Sequence, residues 1–107
     1  MPATEAALRL LGLAARAGAV LSGTERVREA ARAGTLRYVI VAGDVSANTQ
    51  DKLIPLLESR RVRHRIVATR VALGDAVGRP PASALGITDA GLARRVATLL
   101  ESEEEST

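Results

Sequence analysis

Helices that alternate with short apolar strands predict an α/β chain, a three-layer α/β/α sandwich built on a small mixed sheet of about four strands. Three observations carry this prediction. Apolar residues recur at helical spacing in segment after segment, and each is followed by a glycine, a turn or a short strand. The run Arg37-Tyr38-Val39-Ile40-Val41-Ala42 is continuously apolar after its arginine, as expected of a central strand covered on both faces. The length of 107 residues and the hydrophobic fraction of 47% suit one domain with its own core. The division expected is a single domain over 1–100 and an acidic, disordered tail over 101–107.

The first helix is read over Ala3–Ala17, started near Thr4 and Glu5 and stopped by Gly18. Its stripe is Ala6, Leu10, Leu13, Ala14 and Ala17, broadened by Leu8 and Leu11. Val20-Leu21 is a short strand. Gly23–Ala33 is the second helix, with Val27, Ala30 and Ala31 inward, Glu25, Arg28, Glu29 and Arg32 outward, and Gly34 as a left-handed cap. After the central strand, Gly43-Asp44-Val45-Ser46 turns the chain. Ser46 or Asn48 caps a third helix to about Arg60, which buries Leu53, Ile54, Leu56 and Leu57 and kinks or restarts at Pro55. Ile66-Val67-Ala68 is the next strand, and Thr69–Gly78 a short helix packed through Leu73, Ala76 and Val77, with Gly74 allowing a close approach. Arg79-Pro80-Pro81-Ala82-Ser83 is a stiff loop. Ala84–Ile87 is the last strand, and Thr88 or Asp89 caps a final helix over Ala90–Leu100.

Composition narrows the function classes. One Tyr and no Phe or Trp make the core aliphatic. The absence of Cys excludes disulfides and thiolate chemistry and points to an intracellular, cytoplasmic setting. No apolar run has membrane-spanning length and the N-terminus has no signal-peptide layout. A single His and no Cys leave no zinc set, and no Gly-Lys-Ser/Thr or dinucleotide fingerprint occurs, so no cofactor, no metal and no catalysis are expected. Net charge is +3, but without the four acids of 101–107 the remaining 15 bases face 8 acids, a net +7. Fourteen of those bases are Arg, whose planar fork suits phosphate and guanine. A polyanionic partner follows, unless the arginines reflect only a coding bias.

Two stretches stand out. Ser22-Gly23-Thr24 opens a helix whose unpaired N–H groups and dipole can receive an anion, or else it merely caps that helix. Arg60-Arg61-Val62-Arg63-His64-Arg65 packs five potential cations into six residues. It reads equally as a solvated helix end and as a phosphate-facing patch.

Leu11-Gly12-Leu13-Ala14-Ala15-Arg16-Ala17-Gly18, Ser22-Gly23, Val39 through Thr49 and Leu73-Gly74-Asp75-Ala76-Val77-Gly78, taken in order, resemble the kink-turn-binding ribosomal protein superfamily. The opening octet and Ala47-Asn48-Thr49 are most similar to its small bacterial, YlxQ-like branch. The resemblance spans about Leu8 to Val96. It implies the sandwich fold and RNA binding without catalysis, on a sharply bent RNA that exposes sheared G·A pairs and a flipped nucleotide. Such irregular RNA offers base edges that the A-form groove hides.

The resemblance also implies a site at Gly23, Thr24, Glu25, Arg26, Arg28, Ser46, Arg70, Arg79, Pro80 and Ser83. Gly23 and Thr24 match the family's motif. Glu25 stands at its Asn position, Arg26 at its Glu/Gln position and Glu29 at its Lys position. Arg26 or Arg28 would then approach guanine or phosphate in a different geometry. Ser46 lies at the family's acidic position, Arg70 matches a basic one, and the Arg79–Ser83 loop lies where the flipped nucleotide is received.

Three roles are consistent with these residues. One is a monomeric, ribosome- or translation-associated protein that binds structured RNA. Another is a protein-interaction module, for instance for a ribosome-associated protein, that kept the fold and lost kink-turn binding. The last is an RNA-recognition domain like those beside RNA 2′-O-methyltransferases, inactive by itself.

Overall fold

A computed structural model describes the backbone of residues 2–105 and the side chains of residues 2–101. The elements run in the order α1 (Ala3–Arg16), β1 (Val20–Ser22), α2 (Thr24–Ala33), β2 (Tyr38–Val41), α3 (Ala47–Ser59), β3 (His64–Ile66), α4 (Arg70–Ala76), β4 (Ala84–Ile87) and α5 (Ala90–Glu105). The strands form one four-stranded sheet in the order β1-β4-β2-β3. β4 is antiparallel to both β1 and β2, while β2 and β3 are parallel, so the sheet is mixed.

Every residue of β2 is buried, because β2 lies between two strands and both sheet faces are covered. Side chains alternate along the strand. Tyr38 and Ile40 therefore join Leu10, Leu11, Leu73, Val96 and Leu100 in one cluster, under α1, α4 and α5. Val39 and Val41 join Val27, Ala31, Leu53 and Leu57 in the other, under α2 and α3. The expected three layers are thus present. The single aromatic side chain, Tyr38, is 2% exposed within the aliphatic core.

The starts of α3, α4 and α5 follow from side-chain capping. The Ser46 hydroxyl accepts from Thr49 N at 3.1 Å, which selects Ser46 over Asn48 as the cap of α3. Thr69 caps α4 through Ala72 N at 3.1 Å. Asp89, rather than Thr88, caps α5, its Oδ1 accepting from Leu92 N at 2.8 Å, while Thr88 bonds Ala19 O. Gly34, at φ 76°, closes α2.

Five expectations change. α1 begins at Ala3, with Pro2 rather than Thr4 at the N-cap position. Its buried face is Ala7, Leu10, Leu11 and Ala14, and Leu13 is 55% exposed. Leucines at 8, 10, 11 and 13 make nearly the whole helix apolar, so periodicity alone does not choose a face. α3 passes through Pro55 without interruption. Pro55 and Asp51 are both exposed, so the Asp51 carbonyl that loses its donor faces water. β3 lies two residues earlier than Ile66-Val67-Ala68, because pairing with β2 aligns Val39 with His64 and Val41 with Ile66. Finally, the last helix, expected over Ala90–Leu100, continues to Glu105. Glutamate favours helix and no Gly or Pro intervenes. Residues 106 and 107 of the expected tail lie outside the described residues.

Candidate functional site

β1, β2 and β3 all run in one direction and β4 in the other. Their connections therefore gather the chain just after β1, β2 and β3 and just before β4 at a single edge of the sheet. Backbone hydrogen bonds continue across that edge. Gly23 N donates to Ala84 O at 3.0 Å, Ala42 N to Ser83 O at 2.9 Å, and Gly43 N to Ala68 O at 2.8 Å. Segments far apart in sequence become neighbours at the carboxyl ends of parallel strands, the usual position of ligand sites in open α/β sheets.

α2 starts here. Its N-cap, Gly23, has φ 107° and ψ 156°, a region essentially reserved for glycine. No side chain caps the helix, so its first N–H groups face outward at the electropositive end of the dipole. The Thr24 and Ser83 hydroxyls hydrogen-bond to each other and tie this helix start to the loop before β4.

That loop is held against α4. Ala82 N donates to Arg70 O at 3.0 Å and Arg79 N to Gly74 O at 2.9 Å. A Cβ on Gly74 would lie 2.3 Å from Pro80 O and 2.7 Å from Arg79 O, so glycine alone permits this approach. The start of α4 is in turn clamped to the turn after β2. Asp44 Oδ1 accepts from Arg70 N at 2.8 Å, and Asp44 Oδ2 lies 3.7 Å from Arg70 Nε.

Most of the expected residues therefore meet. Arg26 and Arg79 line one depression together with Arg16, Ser22 and Asp75. Ser46, Arg70 and Ser83 line a second, with Asp44 and Thr49. The Thr24–Ser83 bond lies between the two. Pro80 is exposed on the loop. Ser46 is already engaged, since its Oγ also donates to Thr49 Oγ1 at 3.1 Å.

Arg28 lines neither depression. Its guanidinium pairs with Glu25, both carboxylate oxygens lying 3.3 Å from Nη1, and its Nε is buried without a partner among the described residues. Arg28 thus offsets the carboxylate of Glu25, one of the three departures from the family motif. Arg16 went unassigned by sequence reasoning. Its helical position looked like any exposed last-turn arginine, and only the packing of α1 on α4 brings it beside Arg26 and Arg79.

Among the described residues no group of three or more His, Cys, Asp or Glu side chains could hold a metal, and no helix is long and apolar enough to cross a membrane.

The fold and this edge define a small α/β/α sandwich with an arginine-lined groove at an uncapped helix start. The chain belongs to the ribosomal protein L7Ae/L30e/S12e/Gadd45 family, which it matches over residues 5–97. It is similar to the RNA-binding protein YlxQ of Bacillus subtilis (strain 168), 33% identical over 92 residues that cover 86% of this chain and 92% of that protein. It is also similar to the RNA-binding protein YlxQ of Enterococcus faecium, 30% identical over 95 residues, covering 89% and 91%. These relatives place it in the bacterial YlxQ-like branch expected from its motifs, and they are named for binding rather than for a reaction, in line with a chain that is not an enzyme.

Among solved structures, a protein of unknown function from Bacillus halodurans C superposes with a TM-score of 0.85 at 37% identity, covering 89% of this chain and 96% of that one. The Giardia lamblia 15.5kD RNA binding protein shares the fold, with a TM-score of 0.76 at 22% identity and coverage of 94% and 86%.

Proposed function

We propose that this chain is a non-catalytic RNA-binding protein of the cytoplasm, associated with translation or the ribosome, whose recognition residues are altered from those of standard kink-turn binders. One observation carries the reading. The sheet edge brings the uncapped start of α2, Arg16, Arg26 and Arg79 to one cleft, with Arg70 and the 79–83 loop beside it. Backbone N–H groups and arginine forks together suit phosphate and guanine. The family and the YlxQ relatives support RNA as the polyanion.

In this reading Arg26 contacts RNA, and Arg28 acts through Glu25 by neutralising a carboxylate that would repel phosphate. A salt series of binding to a kink-turn RNA and to a plain duplex of equal length tests the proposal. Preference for the kink-turn supports altered but specific recognition. Equal, steeply salt-dependent binding to both supports a general RNA binder. Absence of binding to either refutes RNA recognition by this groove.

A double-mutant cycle resolves the role of Arg28. Arg28→Ala is expected to weaken binding in the native background and to have little effect in a Glu25→Ala background. Equal losses in both would make Arg28 a direct RNA contact.

The alternative of a protein-interaction module also has a specific feature. Leu8, Leu13, Ala72 and Ala76 line an apolar depression between α1 and α4, rimmed by Arg9 and Arg16. It becomes the favoured reading if the salt series shows no RNA binding.

A further inference from the structure

The run from Arg60 to Arg65 takes no part in the groove described above. It lies where β3 begins, at the opposite end of the sheet, with Arg37 entering β2 and Arg94 one turn into α5. Arg61, Arg63 and Arg65 line one depression with Glu58 and Glu101. Arg37, Arg63 and Arg94 line the next, and Arg63 and Tyr38 belong to both. Five arginines from three separate parts of the chain thus form one surface that, among the described residues, holds two acids, and Arg63 pairs with one of them, Glu101.

We propose that this surface, centred on Arg37, Arg61, Arg63 and Arg94, is a second RNA-phosphate site, so that one molecule can hold two RNA segments at opposite ends of its sheet. Three further observations point the same way. Arg37, Arg61 and Arg94 form no ion pair among the described residues, so their forks are available to a ligand. Arg61 follows the C-cap of α3 at φ 55°, and its N–H and that of Val62 bond Glu58 O and Leu57 O. That left-handed position normally holds glycine, so the arginine there sits at a point of backbone strain. Such strain gathers at functional sites.

The third observation is distance. Arg37 to Gly43 along β2 and its extensions spans roughly 20 Å at about 3.3 Å per residue. That exceeds the Debye length of about 8 Å at physiological salt, so the two surfaces attract polyanions independently. The arginine fork fits phosphate and carboxylate alike, so the choice of RNA phosphate as occupant rests on the RNA binding proposed above and on the RNA-binding relatives.

The triple variant Arg37→Ala, Arg61→Gly, Arg94→Ala tests this in the full chain. Each change suits its backbone, and the glycine relieves the left-handed strain, so the folded state is retained and thermal unfolding verifies it. Two readouts are taken. With a labelled duplex, the slope of log K against log salt is expected to fall by about 2 to 3, at roughly 0.7–0.9 per lost phosphate contact. With one RNA immobilised, the unaltered protein is expected to capture a second, labelled RNA, and the triple variant to bind the first and lose the second.

An unchanged slope with capture of the second RNA retained overturns the proposal. So does strict one-to-one binding by the unaltered protein. A companion variant, Arg26→Ala with Arg79→Ala, separates the two surfaces. If it leaves binding intact while the triple variant abolishes it, the second surface stands and the groove at α2 falls.

Discussion

Replacing Gly74 by Ala is expected to give the largest single loss, in both stability and RNA affinity. The added Cβ would sit 2.3 Å from Pro80 O, 2.7 Å from Arg79 O and 2.7 Å from Pro80 C. All three are backbone atoms, so no side-chain rotation relieves the contact. Either α4 or the 79–83 loop must move. The loop resists, because it is anchored at Gly74 O, at Arg70 O and through Ser83 to Thr24. Overpacking of this kind costs about 1–3 kcal/mol and occasionally more. In a domain of this size each kcal/mol corresponds to a fall in melting temperature of about 4–8 °C. The same displacement separates Arg79 from Arg26 and Arg16, which share a cleft only while the loop lies on α4. Thermal unfolding and duplex binding check both effects. An unchanged melting temperature would mean that the loop yields freely, and the account of how Arg79 is positioned would fail.

The Gly23→Ala variant is expected to come second, for a different reason. Nothing lies within 4 Å of a Cβ at this position, so crowding plays no part. The effect is confined to the backbone, since φ 107° with ψ 156° is adopted almost only by glycine and costs other residues about 1–3 kcal/mol. The chain can relieve the strain only by turning the entry to α2. That would re-aim its free N–H groups and pull Thr24 from Ser83. A Thr24→Val control removes the hydroxyl contact without backbone strain, at about 0.5–1.5 kcal/mol. If Gly23→Ala proves no worse than Thr24→Val in stability and in RNA affinity, the glycine matters only as a link between β1 and α2. A larger loss of affinity in Gly23→Ala would tie RNA binding to the direction of the helix start.

These two glycines also show where sequence reading is strong and where it stops. Gly23 was legible, because a glycine before Thr24 and a charged amphipathic segment marks a helix start with local chemistry. The close approach at Gly74 was legible as a possibility, but its partner was not. The Arg79–Pro80 backbone reaches Gly74 through a turn whose path depends on β4 joining the sheet between β1 and β2. Arg28 looked like an RNA contact from its place in the motif. The three-residue spacing to Glu25 already allowed a helical pair, and the structure forms it. Arg16 carried no such local mark.

Local physics accounts for the order of helices and strands, the buried centre of the sheet at Tyr38–Val41, a cap for α3 at Ser46 or Asn48 and the glycine stop at Gly34. Each depends on residues within a few positions of one another, so periodicity and capping chemistry suffice to read them. The inward face of α1, the register of β3, the cleft shared by Arg16, Arg26 and Arg79, and the second arginine surface joining Arg37, Arg63 and Arg94 were decided by packing. Each requires segments distant in sequence to meet across one particular strand order, and no local preference specifies that order.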